Sequence, residues 1–91
     1  MGLDECGVAG STLTQQLDLI WSNIRTILAS ADMSVDNIVR LTSYLRDPAY
    51  AEENARARVK ALNGRTIPTI GIVAQTLSSD WLVEIEVVAA D

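Results

Sequence analysis

Trp-Leu-Val-Glu-Ile-Glu-Val-Val-Ala, residues 81–89, is the stretch of sequence that decides the fold. Its apolar residues recur in steps of two and many of them are β-branched, a pattern typical of a β-strand with one buried face. The buried face of this predicted strand holds Trp81, Val83, Ile85, Val87 and Ala89.

The opposite face of the same strand presents two carboxylates, Glu84 and Glu86, in an otherwise apolar run. The pattern alone leaves two interpretations open. Both side chains could face solvent, or this face could line a cleft in which a carboxylate accepts a proton or a hydrogen bond.

The length and composition of the chain indicate one small folded domain. We predict a single domain over residues 1–91 that begins with a loop over residues 1–10, because 91 residues leave no room for a second core. The hydrophobic fraction of 48% is that of a folded globular protein. A domain of this size without a disulfide has a limited core, which favours stabilisation by oligomerisation.

Several classes of function are excluded or disfavoured by composition. The chain has no histidine and one cysteine, Cys6, which excludes histidine-based zinc sites and Cys-His or Ser-His nucleophilic pairs. The net charge of −5 argues against non-specific binding of nucleic acid. No apolar run is long enough to span a membrane and no secretory signal is evident, so we predict a soluble cytoplasmic protein.

Apolar residues at steps of three and four predict a helix that begins at Ser11 or Thr12 and fades near residues 29–31. Thr12 and Gln15 have the spacing of a capping box. The apolar stripe of this helix comprises Leu13, Leu17, Ile20, Trp21, Ile24, Ile27 and Leu28.

A first strand is predicted over residues 38–45, which again alternate. One face would hold Val39, Leu41, Ser43 and Leu45, and the other Ile38, Arg40, Thr42 and Tyr44. The second face is mixed in polarity, which suits contact with another subunit or a binding site as well as it suits solvent.

A second helix is predicted to begin at Asp47-Pro48, an N-cap followed by proline at the first helical position, and to end at Asn63-Gly64. Asn54 falls on the inner side of this helix, where an amide needs hydrogen-bond partners, and structural and functional roles both stay open. The other residues on that side are Tyr50, Ala55, Arg58, Val59 and Leu62.

The remaining residues predict a strand from Thr66 to residue 74 or 77, with Pro68 near its beginning. A short turn region over residues 76–80 would let this strand and the final strand form an antiparallel hairpin. The order α, β, α, β, β then predicts an α+β fold in which two helices pack on one face of a small sheet.

Short motifs in this order resemble the RidA family, also called the endoribonuclease L-PSP-like family, along nearly the whole chain. The motifs are Gln15-Gln16, Trp-Ser-Asn-Ile at 21–24, Ser-Val-Asp-Asn-Ile-Val at 34–39, Tyr-Leu-Arg-Asp at 44–47 and Val-Glu-Ile-Glu at 83–86. The resemblance implies a chorismate mutase-like fold, a homotrimer with clefts between subunits, a small-molecule ligand, and no metal or organic cofactor. Family members also have N-terminal strands that precede the segment matched here, so we expect a shortened sheet.

The best-characterised members of the family hydrolyse reactive enamines and imines to 2-oxo acids and ammonia. By this resemblance Glu84 is the expected catalytic residue and Asn54 lies near the substrate. The family's carboxylate-binding arginine falls at Pro68 or Thr69, neither of which forms a bidentate ion pair. We therefore expect a divergent deaminase with Thr69 and the nearby Arg65 as further substrate-binding residues.

The alternative function is that of a trimeric member of the family that binds a small metabolite without catalysis. Loss of the arginine favours it, because threonine suits a neutral polar ligand better than a carboxylate. Cleavage of RNA, which the older family name suggests, is disfavoured by the acidic charge and the absence of histidine.

Overall fold

The computed structural model describes residues 10–90, so Cys6 and most of the predicted loop over residues 1–10 lie outside the described part. The elements follow the predicted order: α1 (Leu13–Ser30), β1 (Ile38–Leu45), α2 (Ala51–Ala61), β2 (Thr69–Val73) and β3 (Val83–Ala89). Single turns of 3₁₀ helix lead into β1 and α2, at Val35–Asn37 and Pro48–Tyr50.

The helices begin and end where the sequence predicts. The Thr12 hydroxyl accepts a hydrogen bond from the Gln15 backbone N–H at 3.1 Å, which caps α1. Asp47 caps the turn before α2 by accepting from the Ala49 N–H at 2.8 Å. After α2, Gly64 adopts a φ of +78°, and its N–H donates to the Val59 carbonyl, as glycine commonly does beyond a helix C-terminus.

The sheet has the strand order β2-β1-β3, with β1 parallel to β2 and antiparallel to β3. The predicted hairpin between the last two strands is therefore wrong, because β1 lies between them. Parallel neighbours need a crossover connection, which α2 supplies between β1 and β2. The segment over residues 74–82 then passes the end of β1, where Ala74 N–H donates to Leu45 O and Arg46 N–H donates to Leu82 O.

A β-bulge near the beginning of β1 changes which residues face the core. Ile38 pairs with Ala89 and Arg40 pairs with Val88, so Val39 is an extra residue without a partner. Ile38 is 0% exposed and Val39 is 48% exposed, the reverse of the predicted faces. From Leu41 to Leu45 the predicted alternation is confirmed.

The core lies between the helices and one face of the sheet, as predicted. Two residues assigned to inner sides, Ile27 and Val59, are instead exposed. Ile27 lies at the margin of the α1 stripe, and Val59 lies on the outer side of α2 because its five-residue step from Asn54 adds roughly 140° to a full turn. The buried hydrophobic residues are Leu17, Ile20, Trp21, Ile24, Leu28, Ile38, Leu41, Leu45, Leu62 and Val83.

Candidate functional site

One face of the sheet is left uncovered by the two described helices, and we call it the open face. Its side chains are fixed by the strand registers, since residues directly opposite each other on neighbouring strands point to the same side. The open face holds Arg40, Thr42, Tyr44, Ile70, Ile72, Glu84, Glu86 and Val88.

Glu84 lies in the most sheltered row of the open face. Tyr44 is directly opposite Glu84 on one side and Ile72 on the other, so the three side chains form a row across the sheet. Opposite residues have Cβ atoms about 5 Å apart, close enough for the Tyr44 ring to shield the carboxylate. Glu84 is half-buried, whereas Glu86, in the next row with Thr42, is exposed.

The Glu84 carboxylate makes no ion pair or hydrogen bond with another residue between 10 and 90. It is therefore free to act on a bound molecule or on water. A carboxylate beside an apolar side chain and an aromatic ring can orient a water molecule and accept its proton.

Thr69 and Arg65 lie together, but on the other side of the sheet from Glu84. Thr69 is opposite Leu41, whose side chain is buried beneath the helices, so Thr69 points to the helix-covered side. Both residues line a cleft of about 250 Å³ at the beginning of β2. The Arg65 guanidinium donates hydrogen bonds to the backbone carbonyls of Asp36 and Ile38.

Asn54 is 4% exposed on the inner side of α2, and its Oδ1 atom has no hydrogen-bond partner in the described part of the chain. The Ser43 Oγ, on the helix-covered face of β1, is a second buried polar atom for which the described residues supply no partner. Buried polar groups are normally paired, so both are unusual. The unusual position of Ser43 was detectable in the sequence, because this polar residue interrupts an otherwise apolar face between Leu41 and Leu45.

Gln16, a buried residue of α1, joins this helix to two other segments, a role that the sequence analysis missed. It is 2% exposed. Its Nε2 atom donates to the Gly10 carbonyl at 2.9 Å and to the Asp80 carbonyl at 2.7 Å, and its Oε1 atom accepts from the Leu82 N–H at 2.8 Å. The amide thereby fixes the backbone directly before β3 and Glu84.

Arg46 binds the segment over residues 74–82 through Thr76 and Ser78. Its Nη1 atom donates to the Thr76 hydroxyl at 2.6 Å and lies within 3.3 Å of the Thr76 and Ser78 carbonyls. The buried Thr76 hydroxyl also lies 2.6 Å from the Trp81 carbonyl. Periodicity reveals neither the contacts of Gln16 nor those of Arg46. Apart from Gly10, the partners of these two side chains lie 30 or more positions away in the sequence.

Between residues 10 and 90, no group of three or more Asp, Glu, Cys or His side chains is placed to hold a metal ion. Over the same range, no helix combines the length and the apolar character needed to cross a membrane.

Comparison with known proteins identifies the family. A family model described as Endoribonuclease L-PSP matches residues 1–91. An Entamoeba histolytica structure named for endoribonuclease L-PSP superimposes with a TM-score of 0.88 at 28% identity, over 97% of this chain and 72% of that one. A search of curated protein sequences found no match.

Two further solved structures share the fold. RidA from an Antarctic Psychrobacter species aligns with a TM-score of 0.88 at 22% identity, covering 94% of this chain and 71% of its own. A member of the YjgF family from Neisseria meningitidis aligns with a TM-score of 0.82 at 25% identity, covering 88% and 68% respectively. The described chain has two helices on a small mixed sheet and is shorter than these structures. The expected fold is therefore confirmed. The chain belongs to the endoribonuclease L-PSP family, which includes the RidA and YjgF proteins.

Proposed function

We propose that this protein hydrolyses a small imine or enamine at the open face, with Glu84 as the catalytic residue. The observation that supports this most is the position of Glu84 in the row with Tyr44 and Ile72, as a half-buried carboxylate that no residue from 10 to 90 pairs with. Family membership supplies the reaction class.

The proposed reaction needs one residue that orients water and moves protons. The oxygen of water adds to the carbon of the C=N bond, Glu84 accepts a water proton, and the nitrogen is protonated. The C–N bond then breaks, ammonia leaves, and loss of the hydroxyl proton forms the carbonyl. The balance is one imine and one water consumed for one carbonyl compound and one ammonia released.

The substrate that fits best is an imine without a carboxylate. Neither β2 nor β3 contains a lysine or arginine, and Ile72 occupies the row beside Tyr44 on the strand where family members place their arginine. Arg65 is engaged with two backbone carbonyls on the other side of the sheet. Arg40 is on the open face but lies two rows from Glu84. A substrate carboxylate in the row of Glu84 would therefore lose its solvation without a bidentate partner, which disfavours 2-imino acids.

We further propose a homotrimer with clefts between the subunits. The open face holds exposed Ile70, Ile72 and Val88, and Leu77 is 90% exposed at the end of the sheet, an apolar surface typical of an interface. In one chain Thr69 and Arg65 are separated from Glu84 by the sheet, so the proposed ligand contacts of these two would come from a neighbouring copy, whereas Asn54 is buried within its own chain.

Light scattering tests the trimer directly. We expect a mass of three chains of 9.8 kDa. Replacing Ile72 by aspartate is expected to shift the mass to that of one chain, because a charge would be buried without a partner at the interface. The exposed, ion-paired Arg56 offers a control, since Arg56→Gln should leave the mass unchanged. A single-chain mass for the unaltered protein would refute the proposed assembly.

The catalytic proposal is tested by the initial rate of ammonia release from imines generated in the assay, one from an amino acid by a flavin-dependent amino-acid oxidase and one from benzylamine by a flavin-dependent amine oxidase. We expect the protein to speed ammonia release from the benzylamine-derived imine more than from the imino acid. Glu84→Gln should lower this activity about 100-fold, the scale of general acid–base catalysis. Glu86→Gln, on the same face but exposed, should stay within about twofold.

The second candidate is binding of an uncharged metabolite without catalysis, which the absence of a cation beside Glu84 also favours. No turnover of either imine at high protein concentration would reject the catalytic proposal and leave this candidate. Equal loss of activity in Glu84→Gln and Glu86→Gln would reject Glu84 as the specific catalytic residue. With either function we propose a cytoplasmic location, supported by the family resemblance.

A further inference from the structure

A groove between α1 and α2 has the size and lining of a small-molecule site. It encloses about 320 Å³, within the range of known ligand pockets. Since it lies in the helix layer, it is separated from the open face by the sheet. It is lined by Trp21, Arg25, Val35, Ala57, Lys60, Ala61 and Asn63.

The wall of this groove is apolar and contains an indole with an unused donor. Trp21 is 3% exposed, and Val35, Ala57 and Ala61 continue the wall around it. The Trp21 Nε1–H is buried and has no acceptor among residues 10–90. Buried indole N–H groups usually find a partner, and leaving one unpaired is unfavourable.

Two cations flank the wall without any partner in the described part of the chain. Arg25 and Lys60 are both exposed, and the ion pair described between residues 10 and 90 joins Arg56 to Glu52 instead. The groove has no acidic lining residue. Two unpaired cations at one groove are unusual on a chain whose net charge is −5.

Lys60 is not needed to complete the C-terminus of α2. The carbonyls of Arg58, Val59 and Lys60 accept hydrogen bonds from the backbone N–H groups of Leu62, Gly64 and Asn63. Three of the last four carbonyls of the helix therefore already have backbone donors. The ammonium group of Lys60 remains available for a ligand at the groove.

We propose that this groove binds a small organic anion with a flat apolar body, such as an aromatic carboxylate. The carboxylate lies between Arg25 and Lys60 in charge-assisted hydrogen bonds, and the ring packs on the wall formed by Trp21. Because the indole N–H is closed off from water, a ligand oxygen reaches it only when the wall shifts on binding, and the N–H then gains the acceptor that it lacks. The site is separate from Glu84, and its existence does not depend on the proposed reaction.

The probe for this site is 3-phenylpropionate, with its neutral amide 3-phenylpropanamide as the matched compound. The chain has two tryptophans, so Trp81→Phe leaves Trp21 as the single fluorescent reporter. We expect saturable quenching or enhancement by the acid and at least roughly tenfold weaker binding of the amide. In a ¹⁵N-labelled sample, the indole N–H resonance of Trp21 should shift along the same titration.

Arg25→Gln and Lys60→Gln should each weaken binding of the acid by about fivefold to tenfold and leave binding of the amide unchanged. Both residues are exposed, so neither change should prevent folding. Arg56→Gln removes an exposed positive charge from α2 outside the groove and should leave both affinities unchanged. Absence of saturable binding, equal affinity for acid and amide, or unchanged affinity in the Arg25 and Lys60 variants would each overturn the proposal.

Discussion

Ile38→Ala is expected to lower the free energy of unfolding by about 3 kcal/mol, the usual cost of truncating a large buried aliphatic side chain. Ile38 is fully buried beside the bulge in β1, and alanine would leave a cavity between the sheet and the helices. Because a small domain has a total stability of only about 5–15 kcal/mol, this loss should be visible as a large fall in the urea midpoint.

Val39→Ala is the matched control for that change. Val39 is the extra residue of the bulge and is half exposed, so its truncation should cost less than about 1 kcal/mol. The free energy of unfolding of each variant is measured at two protein concentrations. A loss of packing within the chain is the same at both, whereas a loss of contact between copies depends on concentration. A larger loss for Val39→Ala than for Ile38→Ala at the lower concentration would contradict the bulge and restore simple alternation.

Gln16→Leu is expected to destabilise the protein by about 3 kcal/mol, although leucine is close to glutamine in size. The change leaves three backbone groups without their partner, the carbonyls of Gly10 and Asp80 and the N–H of Leu82. A typical hydrogen bond contributes about 1 kcal/mol, and a buried group left unpaired costs about 1–3 kcal/mol. Urea denaturation of the two proteins measures the difference.

The neighbouring residue is the control for Gln16. Gln15 is exposed, and within residues 10–90 its side chain accepts hydrogen bonds only from the backbone and hydroxyl of Ser11. Gln15→Leu should therefore change stability by less than about 1 kcal/mol. Hydrogen exchange adds a local test, because Gln16→Leu should speed exchange of the Leu82 N–H before it affects β1. Similar losses for both variants would mean that the buried amide contributes nothing specific.

Most of the fold followed from local patterns. The 3.6-residue periodicity of α1, the Thr12 and Asp47 caps and the alternation of β3 each depend on residues close in sequence, and each was predicted correctly. The prediction of a hairpin between β2 and β3 was wrong, because a short connection between two strands does not show that they pair. The predicted faces of Ile38 and Val39 were wrong, because a bulge shifts the inward face of the strand by one residue and leaves no mark in the residue types.

The candidate site was predictable only in part. Glu84 was identifiable as a carboxylate in an apolar strand, and resemblance gave it a role that stays a prediction. Its separation from Thr69 and Arg65 was not predictable, because it depends on which strand lies in the middle of the sheet. Equally, the sequence does not show that Arg65 donates to the Asp36 and Ile38 carbonyls.

By itself, the sequence determined the element types, their order, the family, and the absence of any lysine or arginine near Glu84 on the last two strands. These properties are local, because capping, periodicity and residue identity do not depend on distant contacts. The tertiary structure alone decided the strand order, the burial of Gln16, and the pairing of Trp21 with unpartnered Arg25 and Lys60 around one groove. Those features join residues far apart in the chain, and only the packing of the helices on the sheet brings them together.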